Sequence, residues 1–230
     1  GAMIRRVSVS GWSTTFRRFE DGPIRIGPIA INVKDWSRPQ TGESRLFANG
    51  VLEGMAIAGP FWPLVLYVPL GLASIAYASY AGFSPLAIAV QYVAGLLVWS
   101  LVEYVAHRFV FHHAPGTRVG VAIQYLIHGV HHAYPDDSRR WMLPLGVTIP
   151  IAVMLTVAAL LIGAPAMSGV AGFVHGYLVY DLVHYTVHAR AGTWRAVRWL
   201  RAYHMRHHYA APDRQFGVSS ALWDVVFKTK

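Results

Sequence analysis

The sequence predicts an all-α integral membrane protein with four transmembrane helices in two hairpins and a helical cap on the cytosolic side. Of its 230 residues, 54% are hydrophobic and 13% are charged, a composition too apolar for an ordinary soluble domain. Four uncharged apolar stretches each have about the length needed to cross a hydrocarbon core. Every Lys and Arg lies outside these stretches and outside the two short turns that join them in pairs.

Residues 1–46 form a predicted cytosolic arm ahead of the apolar stretches, and residues 1–3 resemble a tag-cleavage scar. The arm mixes arginine pairs with aromatic residues, among them Trp12 and Trp36. Such a segment is expected to lie on the membrane or to cap the rest of the cytosolic part. A poorly ordered tail explains its composition equally well.

Residues 47–230 form the predicted membrane-embedded domain. The basic residues precede the first span, separate the second from the third, or follow the fourth. Because cytosolic loops carry the excess of Lys and Arg, both termini are expected in the cytosol. The net charge of +9 then reflects topology and contact with anionic lipid, not a nucleic-acid partner. The predicted transmembrane helices lie near residues 60–80, 85–106, 143–163 and 164–183.

Histidine is the most informative residue type in the chain. All 12 histidines lie between His107 and His208, and two of the clusters have the spacing H-x-x-H-H. Residues three and four apart share a helical face, so each such motif is expected to point its histidines together. His107 and His112 are five apart and need a helix end or a distortion to converge. The clustered residues are His107, His112, His128, His131, His132, His184, His188, His204, His207 and His208.

These ten imidazoles indicate a dinuclear metal site in the cytosolic cap. Neutral imidazole suits zinc, copper, iron and nickel, and ten ligands are too many for one ion, so about five nitrogens for each of two ions is the natural division. His175, alone in an apolar run, is interpreted as a hydrogen-bonded core residue, and His113 as a neighbour of the site. The absence of cysteine excludes thiolate-ligated zinc, cysteine-bound iron–sulfur clusters and a cysteine nucleophile.

Two carboxylates are candidates for holding the ligands in place. Glu103 lies one turn before His107 and could accept its second ring N–H, and Asp181 lies three residues before His184. Glu103 could equally be a charge at the membrane interface, and the same interpretation is the alternative for Asp181. A transporter would place its ligands within the spans, and a structural site would not need ten. A redox site beside an apolar helical bundle can instead oxidise a C–H bond of a lipid chain.

The motifs H-R-F-V-F-H, H-G-V-H-H, Y-D-L-V-H-Y-T-V-H and H-M-R-H-H closely resemble those of the fatty acid hydroxylase superfamily, which are integral-membrane di-iron oxygenases. The resemblance covers about residues 46–230 and is nearest to the fatty acid (sphingolipid) 2-hydroxylases. It extends to residues 100–104, 135–139, 216–219 and 222–224. Tyr180 and Asp224, which lie within the shared motifs, become further candidates beside the ligands.

The resemblance implies a four-span enzyme in which the ten clustered histidines bind two iron ions. Zinc is expected to occupy the sites in recombinant protein. An acyl chain would enter from the bilayer and present C2 to the metals, and O₂ and two electrons would be consumed. Residues 1–46 are too short for a cytochrome b5 domain and lack His-Pro-Gly-Gly, so a separate cytochrome b5-like or ferredoxin-like donor is expected. The compact, Ala- and Arg-rich chain suggests a homologue from a bacterial inner membrane.

Two alternatives remain open from the sequence. A sterol or carotenoid hydroxylase or desaturase of the same superfamily would keep the histidines and change the substrate pocket. A membrane bis-histidine haem protein would hold a porphyrin between transmembrane helices.

Overall fold

The structure is a computed structural model that describes residues 21–36, 39–113, 117–189 and 192–230. Residues 1–20, which include the predicted tag scar and the first part of the predicted arm, lie outside the described residues. Over the described residues the fold is mostly helical. The helices are α1 (Gly50–Met55), α2 (Phe61–Tyr80), α3 (Pro85–Ala106), α4 (Arg118–Gln124), α5 (Val130–Ala133), α6 (Leu145–Ile162), α7 (Ala164–His188), α8 (Arg195–Tyr209) and α9 (Leu222–Val226).

The four long helices α2, α3, α6 and α7 lie where the apolar stretches predict helices. Ser84 caps α3 by accepting a hydrogen bond from the backbone N–H of Ala87 (3.2 Å), and proline follows at the first helical position. Gly163, at φ 89°, separates α6 from α7. Phe61–Tyr80 and Pro85–Phe111 are long and apolar enough to cross a membrane, whereas the apolar part of α6, Gly146–Ile162, is shorter.

Helix α7 lies at the centre of the bundle and packs against both α2 and α3. Glycine on α7 lets α3 approach closely, as small residues do between membrane helices. A Cβ atom built on Gly172 would lie 2.0 Å from the carbonyl oxygen of Tyr92, and one built on Gly176 would meet the side chain of Trp99 at 2.8 Å. The contact between α3 and α7 therefore depends on the absence of side chains at these positions.

Replacing Gly172 with alanine should lower the stability of the bundle by about 1–3 kcal/mol, the usual effect of overpacking. Gly169→Ala is the matched control on the same helix, because its Cβ would meet the Gln91 carbonyl oxygen at an ordinary 3.8 Å. Thermal unfolding in detergent micelles measures both. Equal losses in the two variants would contradict the proposed close approach.

The prediction of an all-α fold is wrong in one respect, because a β-hairpin precedes the helices. Strands β1 (Gly22–Ile26) and β2 (Ile29–Val33) are antiparallel and joined through a turn at Gly27, which has φ 56°. The alternation of isoleucine with other residues on both sides of a Gly-Pro pair is the sequence signal for this hairpin. Its buried side chains share an apolar core with Trp36 and with Tyr125 and Val130 of the following helical layer. The described part of the arm therefore packs against the helical residues 122–133.

Candidate metal centre

The first histidine cluster converges through a π-helical turn. α3 continues directly into a π-helical turn at His107–Phe111, and the backbone N–H of His112 donates to the carbonyl of His107 at 3.2 Å. The i→i+5 hydrogen bond brings residues five apart onto one face, which an α-helix does not do. Of the two possibilities left open by the sequence, a helix end or a distortion, the structure has a distortion between His107 and His112. A second π-helical turn, Tyr125–Gly129, carries His128.

Five imidazoles come together in each of two groups, and within each group the ligand nitrogens lie within 4.8 Å of one another. In the first histidine group, the Nε2 atoms of His107, His112 and His128 are 3.2 Å apart in every pair. In the second histidine group, the Nε2 atom of His204 lies 2.9 Å from that of His188 and 3.0 Å from that of His184. The first group is His107, His112, His128, His132 and His207, and the second is His131, His184, His188, His204 and His208.

Each H-x-x-H-H motif divides between the two groups, which corrects the prediction that its three histidines point together. His128 and His132 belong to the first group and His131 to the second, while His204 and His208 belong to the second and His207 to the first. The reason is helical geometry, since adjacent residues diverge by about 100°. The two groups are neighbours, with the rings of His132 and His208 stacked at 4.2 Å.

Backbone carbonyls fix the protonation of four of these imidazoles. A carbonyl oxygen can only accept, so each Nδ1 that bonds one carries the proton, and the Nε2 lone pair points into the group. The four bonds run from His107 to Phe216 (2.5 Å), from His207 to Arg214 (2.6 Å), from His184 to Trp141 (2.5 Å) and from His188 to Pro135 (3.0 Å).

Burial keeps the imidazoles neutral. It lowers the pKa of His207 to about 4, with the hydrogen bond to the Arg214 carbonyl opposing the effect and the His184 imidazole adding to it. Burial also lowers the pKa of His128 and His132 well below the usual value, and adjacent imidazoles lower it further. At neutral pH the groups therefore offer uncharged ring nitrogens, the form that binds metal ions.

The nitrogen positions fit a metal ion in each group. A neutral imidazole has a single N–H to donate, so His204 cannot satisfy the inward lone pairs of both His184 and His188. Metal–nitrogen bonds of about 2.0–2.1 Å at right angles place neighbouring nitrogens roughly 2.9 Å apart, close to the separations found here. Both ring nitrogens of His131 are buried without a hydrogen-bond partner among the described residues, and a bond to a metal ion would satisfy one of them.

The model of the family described as fatty acid hydroxylase matches residues 92–229, which include all ten clustered histidines. The chain belongs to the fatty acid hydroxylase family. It is 36% identical over 213 residues to dihydroceramide fatty acyl 2-hydroxylase FAH1 of Arabidopsis thaliana, a match covering 89% of each protein. It is 29% identical to human fatty acid 2-hydroxylase, over 89% of this chain and 62% of the human one.

A solved structure of full-length scs7p, in which only the hydroxylase domain is visible, has the same fold. Its TM-score is 0.77 at 30% sequence identity, and the match covers 85% of this chain and 76% of that one. The resemblance inferred from the histidine motifs is therefore confirmed at the level of the family.

Glu103 does not accept the second ring N–H of His107, which corrects the first of the carboxylate predictions. The Phe216 carbonyl takes that role, and the Glu103 carboxylate instead accepts hydrogen bonds from the backbone N–H groups of Val218 (2.7 Å) and Ser219 (2.8 Å). The Glu103 carboxylate therefore supports the backbone just after Phe216, whose carbonyl holds His107, and does not bond the imidazole itself.

Asp181 likewise does not hold His184, whose Nδ1 donates to the Trp141 carbonyl. The Asp181 carboxylate is completely buried on α7, one helical turn after Tyr177. Tyr180 contacts a ligand candidate directly: its ring stacks on that of His184, with centroids 5.7 Å apart and planes at 14°. The spacing of three residues on a helix predicts a contact between Asp181 and His184. The loop before α6 instead supplies the partner of the His184 Nδ1, the Trp141 carbonyl.

Asp224 is buried and holds the backbone of the segment after α8. Its carboxylate accepts hydrogen bonds from the N–H groups of Phe216 (2.9 Å) and Gly217 (2.8 Å) and from the Thr229 hydroxyl (2.7 Å). Asp224 therefore reaches His107 through the Phe216 carbonyl, without touching an imidazole itself.

Aromatic rings that sequence reasoning did not assign to the site surround both groups. Trp36 stacks on His112 (5.9 Å, 14°), and Trp141 stacks on His188 (5.4 Å, 29°). The Phe216 ring lies edge-on to His107, with centroids 5.8 Å apart. The occurrence of Phe216 in a motif shared with the family was the available signal, whereas Trp36 stood out only as one aromatic residue of the arm.

His113 and His175, which the sequence does not predict as ligands, lie outside both histidine groups. The Nδ1 atom of His175 is 3.0 Å from the Tyr92 hydroxyl, and its ring fills the space beside Gly71, where a Cβ would lie 2.1 Å from Nε2. His113 is exposed at the end of the first π-helical turn. The predicted hydrogen bond of His175 is thus present, although the residue is half-buried and not fully in the core.

Proposed function

We propose that this protein hydroxylates C2 of a fatty acyl chain, either free or carried by a ceramide-like lipid. The observation that carries the proposal is membership of the fatty acid hydroxylase family together with 36% identity over 89% of the chain to a dihydroceramide fatty acyl 2-hydroxylase. The relatives named above act on acyl chains, which favours this substrate over a sterol or carotenoid. Five imidazoles converging in each group favour bare metal ions over a planar haem.

The first and second histidine groups are the proposed ligands of two iron ions. When bound, such a pair supplies redox chemistry, so that O₂, two electrons and two protons convert a C–H bond to C–OH and release water. Zinc is expected in recombinant protein, because imidazole accepts it readily. The carbonyl-bonded Nδ1 atoms keep four Nε2 lone pairs aimed inward, and the rings of Trp36 and Trp141 cover the imidazoles.

The proposed setting is a bilayer crossed by α2, α3, α6 and α7, with both termini and the histidine groups on the cytosolic side of a bacterial inner membrane. Large apolar side chains are exposed on the outer faces of α2, α3 and α6, including Val65, Leu97 and Leu160, as lipid contact requires. The basic residues lie at the ends that would be cytosolic. The acyl chain would reach the groups laterally from the membrane, and electrons would come from a cytochrome b5-like or ferredoxin-like donor.

Mass spectrometry of lipids from cells with and without the expressed protein tests the proposal. We expect 2-hydroxyacyl lipids, 16 mass units heavier than their precursors because one oxygen atom is added, only in the expressing cells. A His204→Ala strain with equal membrane-inserted protein is the control. Hydroxylated sterol or carotenoid without hydroxylated acyl chains would overturn the substrate assignment.

A further inference from the structure

We propose that Asp137 and Asp224 are positioning residues, each of which sets the metal affinity of one histidine group through the backbone of its own loop. The inference deepens the proposed function and rests on its assignment of the histidines as metal ligands. The two loops are the 135–141 loop, which precedes α6, and the 214–219 loop, which follows α8. Each loop presents two carbonyl oxygens to two imidazoles of a single group.

The 135–141 loop serves the second histidine group. Its carbonyls at Pro135 and Trp141 accept the Nδ1–H groups of His188 and His184. No helix or strand runs through the whole loop, and only Ser138–Arg140 forms a short 3₁₀ turn. The positions of these two carbonyl oxygens therefore depend on side chains that hold the loop.

Asp137 holds the 135–141 loop in place. The residue is 2% exposed, and its carboxylate accepts hydrogen bonds from the Ser44 N–H (2.8 Å), the Ser44 hydroxyl (2.9 Å) and the Arg139 Nε (3.0 Å). Burial acts to raise the pKa of Asp137, but the hydrogen bonds from Arg139 and Ser44 outweigh it and leave the pKa below its usual value. The group is therefore a charged anchor between the loop and the segment before α1.

Arg140 completes the attachment from the other side of the loop. Its buried guanidinium donates to the Ala56 carbonyl (2.5 Å) and the Ser44 hydroxyl (2.9 Å) and pairs with Glu53. A buried pair of this kind is costly to break, because one charge is left without its partner. The 135–141 loop is thus fixed to residues 44–56 at two positions, Asp137 and Arg140.

The 214–219 loop serves the first histidine group in the same way. Its carbonyls at Arg214 and Phe216 accept the Nδ1–H groups of His207 and His107. Gln215, between them, has φ 60°, a left-handed conformation that costs free energy for a residue other than glycine and persists only when its surroundings impose it. Asp224, which is fully buried, imposes it by binding the next two N–H groups, and Glu103 binds the two after those.

The two supports share no residue, and each reaches the imidazoles of one group only. Loss of Asp137 should therefore weaken metal binding by the second group, and loss of Asp224 should weaken binding by the first. Changes to partners that orient a metal-bound imidazole typically cost about 10–100-fold in affinity. A residue that merely stabilised the fold would weaken both groups together.

Competitive titration of the full chain in detergent micelles, with Zn²⁺ as the probe and a chromogenic chelator, measures both affinities. We expect two Zn²⁺ per wild-type chain, and one site weakened 10–100-fold in Asp137→Ala and in Asp224→Ala. Glu43→Ala is the matched control, because Glu43 pairs with Arg139 at the surface and touches neither carbonyl. It should leave both affinities within about twofold of wild type.

A His188→Ala background identifies the affected site. In that background Asp224→Ala should weaken the remaining tight site 10–100-fold, and Asp137→Ala should leave it within about twofold. Equal weakening by both, or by neither, overturns the inference. If an alanine variant loses its helical circular dichroism, Asp137→Asn and Asp224→Asn, which keep one acceptor oxygen, must give the same site pattern with a smaller loss.

The outcomes separate this inference from the function on which it rests. Wild-type chains that bind two Zn²⁺ but give no hydroxylated lipid when loaded with iron would refute the activity and leave the positioning roles standing. Wild-type chains that bind fewer than two ions would refute the ligand assignment itself, and the positioning roles with it.

Discussion

Replacing His184 or His207 with alanine should abolish hydroxylation. The two residues belong to different groups, and each carries an Nδ1–H fixed by a carbonyl and an Nε2 aimed at its neighbours. Removing either leaves a proposed iron site with four imidazoles and an unbonded buried carbonyl. Product formation per amount of membrane-inserted, folded protein is the measurement, with hydroxylated acyl chains quantified by mass spectrometry.

His175→Ala and His113→Ala are the controls, and both should retain most of the activity. His175 bonds Tyr92 within the bundle, and His113 is exposed. His175→Ala can lower the yield of folded protein, which is why activity is normalised to it. If His175→Ala proved as damaging per folded chain as His184→Ala, the division into two groups of five ligands would be wrong.

Exchanging the metal should have an effect of comparable size. We expect protein that is stripped with a chelator and reloaded with two iron ions to hydroxylate acyl chains, and protein reloaded with zinc to be inactive. Zinc has no accessible change of oxidation state and so cannot take part in the reduction of O₂. Elemental analysis gives the number of ions per chain, and product formation with a supplied reductant gives the activity of each form.

Metal removal should also reduce stability, because folding brings ten buried imidazoles together and the bound ions offset that cost. Zinc-loaded and iron-loaded protein should therefore unfold at higher temperatures than the stripped form, although only the iron form is active. Full activity in iron-free, zinc-loaded protein would refute the redox mechanism, and an unchanged unfolding temperature on stripping would contradict the buried metal site.

The helical elements and the ligand candidates could be predicted from the sequence because both are recorded in local patterns. Apolar stretches bounded by Ser84-Pro85 and by Gly163 predict the ends of α3 and α6. Ligand candidates follow from histidine spacing, and the five-residue interval between His107 and His112 predicts a helix end or a distortion, which the structure resolves as a π-helical turn. The alternating isoleucines at 22–33 also indicate the hairpin, although the prediction of an all-α fold does not include it.

What only the tertiary structure decided is how the histidines divide and what holds them. Adjacent residues such as His131 and His132 diverge on their helix, so their assignment to different groups depends on which helices lie opposite them. The partners of His107 and His184 are the carbonyls of Phe216 and Trp141, and every residue type carries a carbonyl, so no sequence pattern marks them. The spacing predicts Glu103 and Asp181 as these partners, but carbonyl groups from loops distant in sequence accept the two N–H groups instead. Local periodicity determines the helices and which residues are ligand candidates, whereas contacts between distant segments determine how the histidines are grouped and oriented.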